Sequence, residues 1–549
     1  LNAYAQQNMN ARASFEFFVR KLPPQRNFLL VAGLQPVIDF LLGLRFSDAE
    51  LNWLRSTGLF PEDFVASLIS LRFSGDVWAM PEGSIAFPDE PLLRIDAPLR
   101  EAQLIESRVI NLLHYSTLVA SKASRCVLAA NNKTLVDFGM RRAHGAEAAL
   151  LSARSSYIAG FASTATTLAS AIYGIPVSGT IAHSFVQAHT YECDAFINAV
   201  RARPQGATLL IDTYNTEAAA RKAVKFAHWV TASGIGIVSA IRIDSGDLLA
   251  LSKSVRTILD EGDCKEVHII VSGNLDEYQL QRLTQANAPI DGFGIGTHMS
   301  TSADAPCLDC AYKLVEYDGQ PRRKTSSGKA TRPGRKQVYR NMDRNGRMQN
   351  DVLTLEGEPA SGTPLLEKVI AGGRTTGSQP TLDQIRIRAR QSLQQLPPEL
   401  RQLSSAPPYP IQISPALELI TQQTDLWLQK RLEEDWRRWG DGAIRGRDSA
   451  SFIGAFLFKT TKRLFSGHPT SKASLSDQRA HHLRRQLQQG THTISLDRHR
   501  STLYLRNRPQ CQRFQSDAIA GFMHHQLSRI HFCYRQWPPI YRGQYGDGQ

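Results

Sequence analysis

In the stretch Gly179-Thr180-Ile181-Ala182-His183-Ser184-Phe185-Val186-Gln187-Ala188-His189, two histidines stand six residues apart, directly after the run Ile175-Pro176-Val177-Ser178. An imidazole nitrogen can act as nucleophile, proton carrier or metal ligand near neutral pH. On a helix, six residues turn the side chains through about 600°, so the pair points apart and cannot grip one metal ion as an i, i+4 pair does. Taken alone, each histidine reads as a satisfied structural one, and only its surroundings change that. Five further clusters carry groups of the same kind: Asp137-Phe138-Gly139-Met140-Arg141-Arg142, Asp212-Thr213-Tyr214-Asn215, Arg242-Ile243-Asp244-Ser245-Gly246-Asp247, Ser272-Gly273-Asn274 and Gly294-Ile295-Gly296-Thr297. The arginines and the Gly-x-Gly-Thr turn suit anions, through guanidinium forks and backbone N–H groups. Asp212 and Asp244 suit sugar hydroxyls or a magnesium ion, and Phe138 offers a flat face to an aromatic ring. An anion-rich ligand with a sugar and a flat ring is a nucleotide or its precursors. Singly, each cluster also has a plainer reading, in which glycines make turns, an Asp-Ser pair caps a helix and an arginine pairs with a nearby aspartate.

The elements that must hold these groups alternate. Short apolar runs at Thr134–Phe138, Pro176–Gly179, Thr208–Asp212, Ile237–Ile243, Val267–Val271 and Ile290–Ile295 are separated by segments such as Glu217–Ala232 and Leu248–Leu259 with helical spacing of apolar residues. The runs recur every 23 to 42 residues, which fits an α/β barrel better than one nucleotide-binding half, with a doubly wound open sheet as the alternative. Parallel α/β folds carry their chemistry in the loops at the carboxyl ends of the strands, so six polar loops are expected at one mouth. Ahead of the barrel, Val77–Ser84 and Phe87–Ile95 read as short strands and Gln103–Ala120 as a helix. Beyond it, Ala311–Tyr317 reads as another strand and Lys324–Lys336 as a basic, Gly- and Ser-containing loop. A second domain built from both ends of the chain accounts for these. The expected division is 1–125 for the first part of that α/β sandwich domain, 126–305 for the barrel, 306–430 for the return, and 431–549 for a basic tail.

Composition narrows the class. With 42% apolar and 21% charged residues the chain is that of a globular protein, and no run approaches the roughly 18 uninterrupted apolar residues of a membrane helix. The net charge of +14 is concentrated, because residues 441–549 hold 17 Lys or Arg against 6 Asp or Glu. The body is nearly neutral, so nucleic acid is not expected as a partner except through the tail. The tail itself has no sustained period and reads as an accessory or aberrant extension. Seven cysteines without repeating spacing make no disulfide framework, and the lone pair Cys307/Cys310 reads as reduced structural thiols, in keeping with a cytoplasmic protein. The first residues lack the pattern of a signal peptide, and the chain starts at Leu1 without methionine, as though its start were missing.

The segments "DFGMRRAHG", "GTIAHSF", "LLIDTYN", "IRIDSGDL", "IIVSGNLDE" and "GFGIGT", in this order and followed by "YKLVEYDGQPRRKTSSGKATRPGRKQVYR", strongly resemble nicotinate phosphoribosyltransferases, over roughly residues 1–427. The resemblance implies the type II phosphoribosyltransferase fold, an irregular α/β barrel packed on an α/β sandwich, usually in homodimers. It implies transfer of phosphoribosyl from phosphoribosyl pyrophosphate to nicotinate, for NAD salvage, with Mg²⁺ as cofactor and ATP as co-substrate. In these terms Phe138 stacks on the pyridine ring and Arg242 meets its carboxylate. Arg141, Arg142, Gly294, Gly296 and Thr297 hold phosphate groups, with Thr180, Ser272, Gly273 and Asn274 also lining the site, while Asp212 and Asp244 face the ribose and its metal. His183 takes a phosphoryl group from ATP as a phosphohistidine, and His189 stays structural. Ser163, in "GFASTATT", stands where a nicotinamide-using relative has an aspartate, which favours the acid over the amide. The family's upstream Thr-Asp-x-Tyr segment, whose tyrosine stacks on the far face of the base, precedes the point where this sequence starts. The alternatives are quinolinate phosphoribosyltransferase and a nucleic-acid-binding protein with an inactive barrel.

Overall fold

The computed structural model describes residues 1–445 and the short strands His492–Asp497, Thr502–Asn507 and Cys511–Gln512, with side chains to Asp435. Two compact units result, Leu1–Asp435 and Trp436–Gln549. In the second, the three short strands pair antiparallel; the remaining expectations for the basic tail lie outside the described residues.

Within the first unit, six parallel strands form one sheet in the order Ser163–Thr164, Thr134–Asp137, Gly292–Ile295, His268–Val271, Val238–Ile243, Ala207–Leu210. Their apolar side chains, among them Leu209, Ile241, Ile269, Val271, Phe293 and Ile295, are fully buried, as expected of a parallel sheet covered by crossover helices. Three of those helices, Thr216–Ala232, Leu248–Glu261 and Glu277–Gln285, start on caps supplied by the loops themselves. Asn215 accepts from Ala218 N at 2.9 Å, Asp247 from Leu249 and Ala250 N, and Asp276 from Gln279 N at 2.8 Å. Asp247 therefore takes the capping duty in its loop, and Asp244 is left to the mouth.

Two sequence expectations need correction. The run Pro176–Gly179 is not a strand of the sheet; Ser163–Thr164 is, and Val177 adds only a single parallel bridge to Thr164. Pro176 has no N–H to give, so the contact is limited to Thr164 N donating to Pro176 O and Ser178 N donating to Thr164 O. The helix expected over Gln103–Ala120 is two, Leu99–Leu104 and Glu106–Ala130. Its extension beyond Ala120 is rich in small residues, with Ser121, Ala123, Ser124, Ala129 and Ala130 buried, and it stops where Asn131 turns left-handed at φ 49°.

A second, seven-stranded antiparallel sheet is built from both ends of the unit. Cys310–Tyr317 and Pro91–Pro98 flank Arg12–Val19, and Asp76–Ala79 continues to Glu367–Ala371. Phe15, Phe17, Leu93, Ile95 and Tyr312 form its buried face. Paired charges join this part to the barrel. Arg154 on helix Ala146–Ala159 grips Glu82 with two 2.6 Å bonds, both side chains buried. Lys122 and Arg125 of the long helix pair with the fully buried Glu277. Among the described residues, no helix is long and apolar enough to cross a membrane.

Candidate active site

The parallel sheet does not close into a ring. Its edges are Ser163–Thr164 and Ala207–Leu210, and the loop that leaves the Val177 bridge carries His183 to the other edge, where its Nδ1 lies 3.1 Å from the Thr213 hydroxyl. His183 thus spans the seam. Its Nε2 faces Asp244 Oδ2 at 3.7 Å, and the side chain is 39% exposed, so the ring is reachable from solution. His189 is tied down instead. Asn198 Nδ2 stands 3.0 Å from its Nε2, its Nδ1 stands 2.7 Å from Phe185 O, and its ring packs on Phe185; this matches a neutral imidazole that donates from Nδ1.

Arg242, at the end of Val238–Ile243, is the hub of the mouth. Its Nε donates to Ser272 Oγ, its Nη1 to Thr180 Oγ1 and its Nη2 to Asp244 Oδ1, each at 2.7 Å. The guanidinium carbon lies 5.2 Å from the centre of the Phe138 ring, within cation–π range. Ser272 also donates to Asp244. Burial acts to raise the Asp244 carboxyl, but the Ser272 hydroxyl, the Arg242 charge and hydrogen bond, and His183 outweigh it and hold it below the ordinary range. Next to it, Asp212 Oδ2 accepts from Asp244 N at 3.0 Å and from the Ser245 hydroxyl at 2.6 Å, whereas Asp212 Oδ1 is buried without a hydrogen-bond partner. A buried carboxylate oxygen left unpaired is costly unless something fills the space beside it.

Phe138 is set by backbone on one side and by an absent side chain on the other. Its N–H donates to Ile295 O at 2.7 Å, and a Cβ on Gly294 would stand 2.4 Å from its ring, so only glycine fits beneath it. A Cβ on Gly296 would likewise meet Phe138 O at 3.0 Å. Gly273 has φ +96°, and a Cβ there would come within 2.0 Å of Asp244 O. The glycines therefore let three loops close on one another. Arg141 and Arg142 lie exposed on the short turn Met140–Arg142 beside this wall.

Not every expected residue joins the cluster. Ser163 is buried opposite Val136 and, among the described residues, makes no side-chain hydrogen bond to the Arg242 group; its neighbour Thr164 donates to Asp137 Oδ2 at 2.7 Å. Asn274 pairs with His298 at 2.9 Å, and Thr297 is exposed at the start of the next turn. Three partners stand in the polar clusters of the sequence but receive no role of their own there: Asp137, which also accepts from Gly139 N at 2.8 Å, Thr213 and Ser245. Each stands beside a residue singled out from the sequence, which is the only signal that marks them.

The sequence matches three family models: the nicotinate phosphoribosyltransferase (NAPRTase) N-terminal domain over residues 1–114, the nicotinate phosphoribosyltransferase (NAPRTase) family over 133–347, and the nicotinate phosphoribosyltransferase C-terminal domain over 359–421. A nicotinate phosphoribosyltransferase of Mycobacterium tuberculosis is 46% identical over 414 residues, covering 75% of this chain and 89% of that one. That of Bacillus subtilis is 38% identical over 359 residues, covering 63% and 72%. The crystal structure of human nicotinic acid phosphoribosyltransferase superposes with a TM-score of 0.69 at 29% identity, covering 77% of this chain and 97% of that one.

Proposed function

The chain belongs to the nicotinate phosphoribosyltransferase family and is an enzyme of that kind, and on that premise we propose that it joins nicotinate to phosphoribosyl pyrophosphate with ATP consumed through a phosphohistidine at His183. The observation that carries this reading is the Arg242 fork against the face of Phe138, a cation beside a flat wall. It suits an aromatic ring that bears a carboxylate, with Thr180 and Ser272 holding the guanidinium in place. In the transfer, the pyridine nitrogen attacks C1 of the ribose as pyrophosphate leaves, through an oxocarbenium-like state. The protein has to position the ring and stabilise separated charge. Arg141, Arg142 and the Gly294–Thr297 turn take phosphate oxygens in this reading, and Asp212 and Asp244 take the ribose hydroxyls.

Magnesium fits the same place. The unpartnered Asp212 Oδ1 and the ionised Asp244 are hard oxygen donors, and Mg²⁺ commonly uses one or two carboxylates and completes its shell from phosphates and water. When bound there it would neutralise charge on the pyrophosphate. His183, open to solvent and held by Thr213, is suited to attack the terminal phosphorus of ATP, releasing ADP; water then cleaves the phosphohistidine. Large apolar side chains lie exposed on the loops and helices of the open seam, with Leu168 at 56%, Ile172 at 53%, Val177 at 50% and Tyr214 at 65% exposure. This supports a homodimer that covers the mouth. The product feeds NAD salvage in the cytoplasm.

The test is to incubate the chain with nicotinate, nicotinamide or quinolinate plus phosphoribosyl pyrophosphate and Mg²⁺, with and without ATP, and to identify the mononucleotide. Nicotinate mononucleotide from nicotinate, with ATP raising the yield, is the expected result. Release of CO2 from quinolinate would favour the quinolinate enzyme instead.

A further inference from the structure

Asp137 ends the strand Thr134–Asp137 immediately before Phe138, and it is 1% exposed. A carboxylate buried so far normally keeps a cation beside it. Among the described residues Asp137 makes no ion pair; burial pushes its carboxyl up, and only the Thr164 hydroxyl and the Gly139 N–H act against that. A side chain that merely filled this space would be no less stable if it were apolar. The polar group is therefore tied to what its two oxygens hold.

Those oxygens face different loops. Oδ1 accepts from Gly139 N at 2.8 Å, and Oδ2 accepts from the Thr164 hydroxyl at 2.7 Å. The Gly139 N–H belongs to the peptide that joins it to Phe138, so one bond orients both residues. Gly139 O in turn accepts from Arg142 N at 3.0 Å and Ala143 N at 3.1 Å, which carries the same constraint into the turn Met140–Arg142. A Cβ on Gly139 would stand 3.0 Å from Asp137 Oδ1 and 2.8 Å from Ser300 Cβ, so glycine is what admits the carboxylate this close. On the other side, Thr164 leads to the Arg242 fork. Its hydroxyl accepts from Thr166 N at 3.0 Å, its carbonyl accepts from Ser178 N at 3.1 Å, and two residues further on Thr180 accepts from Arg242. One carboxylate thus links the loop of Phe138 to the loop that steadies Arg242. An amide cannot do the same: with its oxygen on the Gly139 N–H, its NH2 faces a Thr164 hydroxyl that already accepts from Thr166 N, and the hydroxyl proton loses its acceptor.

We propose that Asp137 is a positioning residue for the transfer, its carboxylate setting the Phe138 ring, the Met140–Arg142 turn and, through Thr164, the Arg242 fork in one fixed relation. It rests on the reading of the mouth in which Phe138 and Arg242 take the base and Arg141 and Arg142 take phosphate. Steady-state kinetics of the full chain at saturating ATP test it, with the KM for nicotinate and for phosphoribosyl pyrophosphate read separately from kcat and with urea unfolding alongside. Asp137→Asn should raise both KM values together by about tenfold, with a smaller change in kcat. A residue that only stabilises the fold shifts the urea midpoint and the amount of active enzyme, hence kcat, and leaves both KM values as they are. Thr164→Val keeps the carboxylate and removes one of its bonds; it should show the same joint rise, about threefold or more, and it decides the matter if Asp137→Asn does not fold. Thr164→Ser, which keeps the hydroxyl, should restore the wild-type KM values. Unchanged KM values in the folded variants of Asp137 and Thr164, while Phe138→Ala and Arg141→Ala/Arg142→Ala raise theirs, overturn the positioning role alone. Unchanged KM values in Phe138→Ala and Arg141→Ala/Arg142→Ala overturn the reading of the mouth and the positioning role with it.

Discussion

At the scale of single residues, His183 and Gly294 separate the two halves of the proposed chemistry. His183→Ala should abolish the acid-labile phosphoenzyme and ATP hydrolysis while leaving a weaker, ATP-independent transfer, because the imidazole takes phosphate and does not attack the sugar. Labelling with γ-phosphate-tagged ATP reads this directly, and an undiminished phosphoenzyme would remove His183 from the role. Gly294→Ala acts on the other substrate. Its methyl would stand 2.4 Å from the Phe138 ring, and such overpacking costs about 1–3 kcal/mol or pushes the ring aside. The expected result is a rise of roughly tenfold in the KM for nicotinate with a smaller change for phosphoribosyl pyrophosphate. Equal rises in both would mean that Phe138 is not the wall for the base.

Among elements, the helix Ala146–Ala159 is held to the antiparallel part by one buried pair and to the helix Leu382–Gln395 by another contact. Arg154 and Glu82 bond twice at 2.6 Å, and Glu82 also accepts from Gly33 N and Gln35 N. Arg386 donates to the carbonyls of Tyr157, Gly160 and Phe161, covering the carboxyl end of the helix just before Ser163–Thr164. Removing one partner of a buried pair leaves an uncompensated charge and costs about 3–5 kcal/mol. Arg154→Ala should therefore lose stability on that order in denaturant unfolding, more than Arg154→Ala adds to a Glu82→Gln background. Additive losses would show that the pair is not coupled.

For the whole molecule, acid stability and the tail can be treated together because both concern charge. Asp304 lies well below the ordinary carboxylate range: burial acts to raise it, but the hydrogen bonds and charges of Arg26 and Lys122 prevail. Glu82 is lowered too, with burial opposed by the Arg154 charge and hydrogen bond. A carboxylate whose folded pKa is depressed binds fewer protons folded than unfolded, so its stabilisation is complete above the unfolded pKa of about 4 and is lost as pH falls through the folded value. Stability should decline from about pH 5 downward, and Asp304→Asn should flatten that decline while lowering stability at neutral pH. Urea unfolding between pH 3 and 7 checks this, and a slope identical to wild type would remove Asp304 from the acid response. Removing residues 441–549, which lie outside the unit Leu1–Asp435 and hold most of the net charge, should lower the isoelectric point sharply and leave transfer intact. Lost activity in a folded, shortened chain would assign the tail to the site.

From sequence alone, the order of the polar loops, the alternation of strands and helices, and the motifs that carry the family resemblance were legible, because each is local: turn glycines, caps and apolar periods act over a few residues. The Arg242, Asp244 and Phe138 positions were legible for the same reason. What the tertiary structure decided is who faces whom. Nothing in the spacing says that Asp247 caps its helix and leaves Asp244 for Arg242, or that Thr213, thirty residues from His183, supplies its hydrogen bond. The expected strand at Pro176–Gly179 failed because a run of apolar residues does not reveal how few hydrogen bonds a proline leaves for pairing. Ser163 could be named from its motif, but its contacts depend on the register against Val136, which side-chain alternation converts into a choice of face. Local chemistry settles which residues are available, whereas packing between distant strands settles which of them meet.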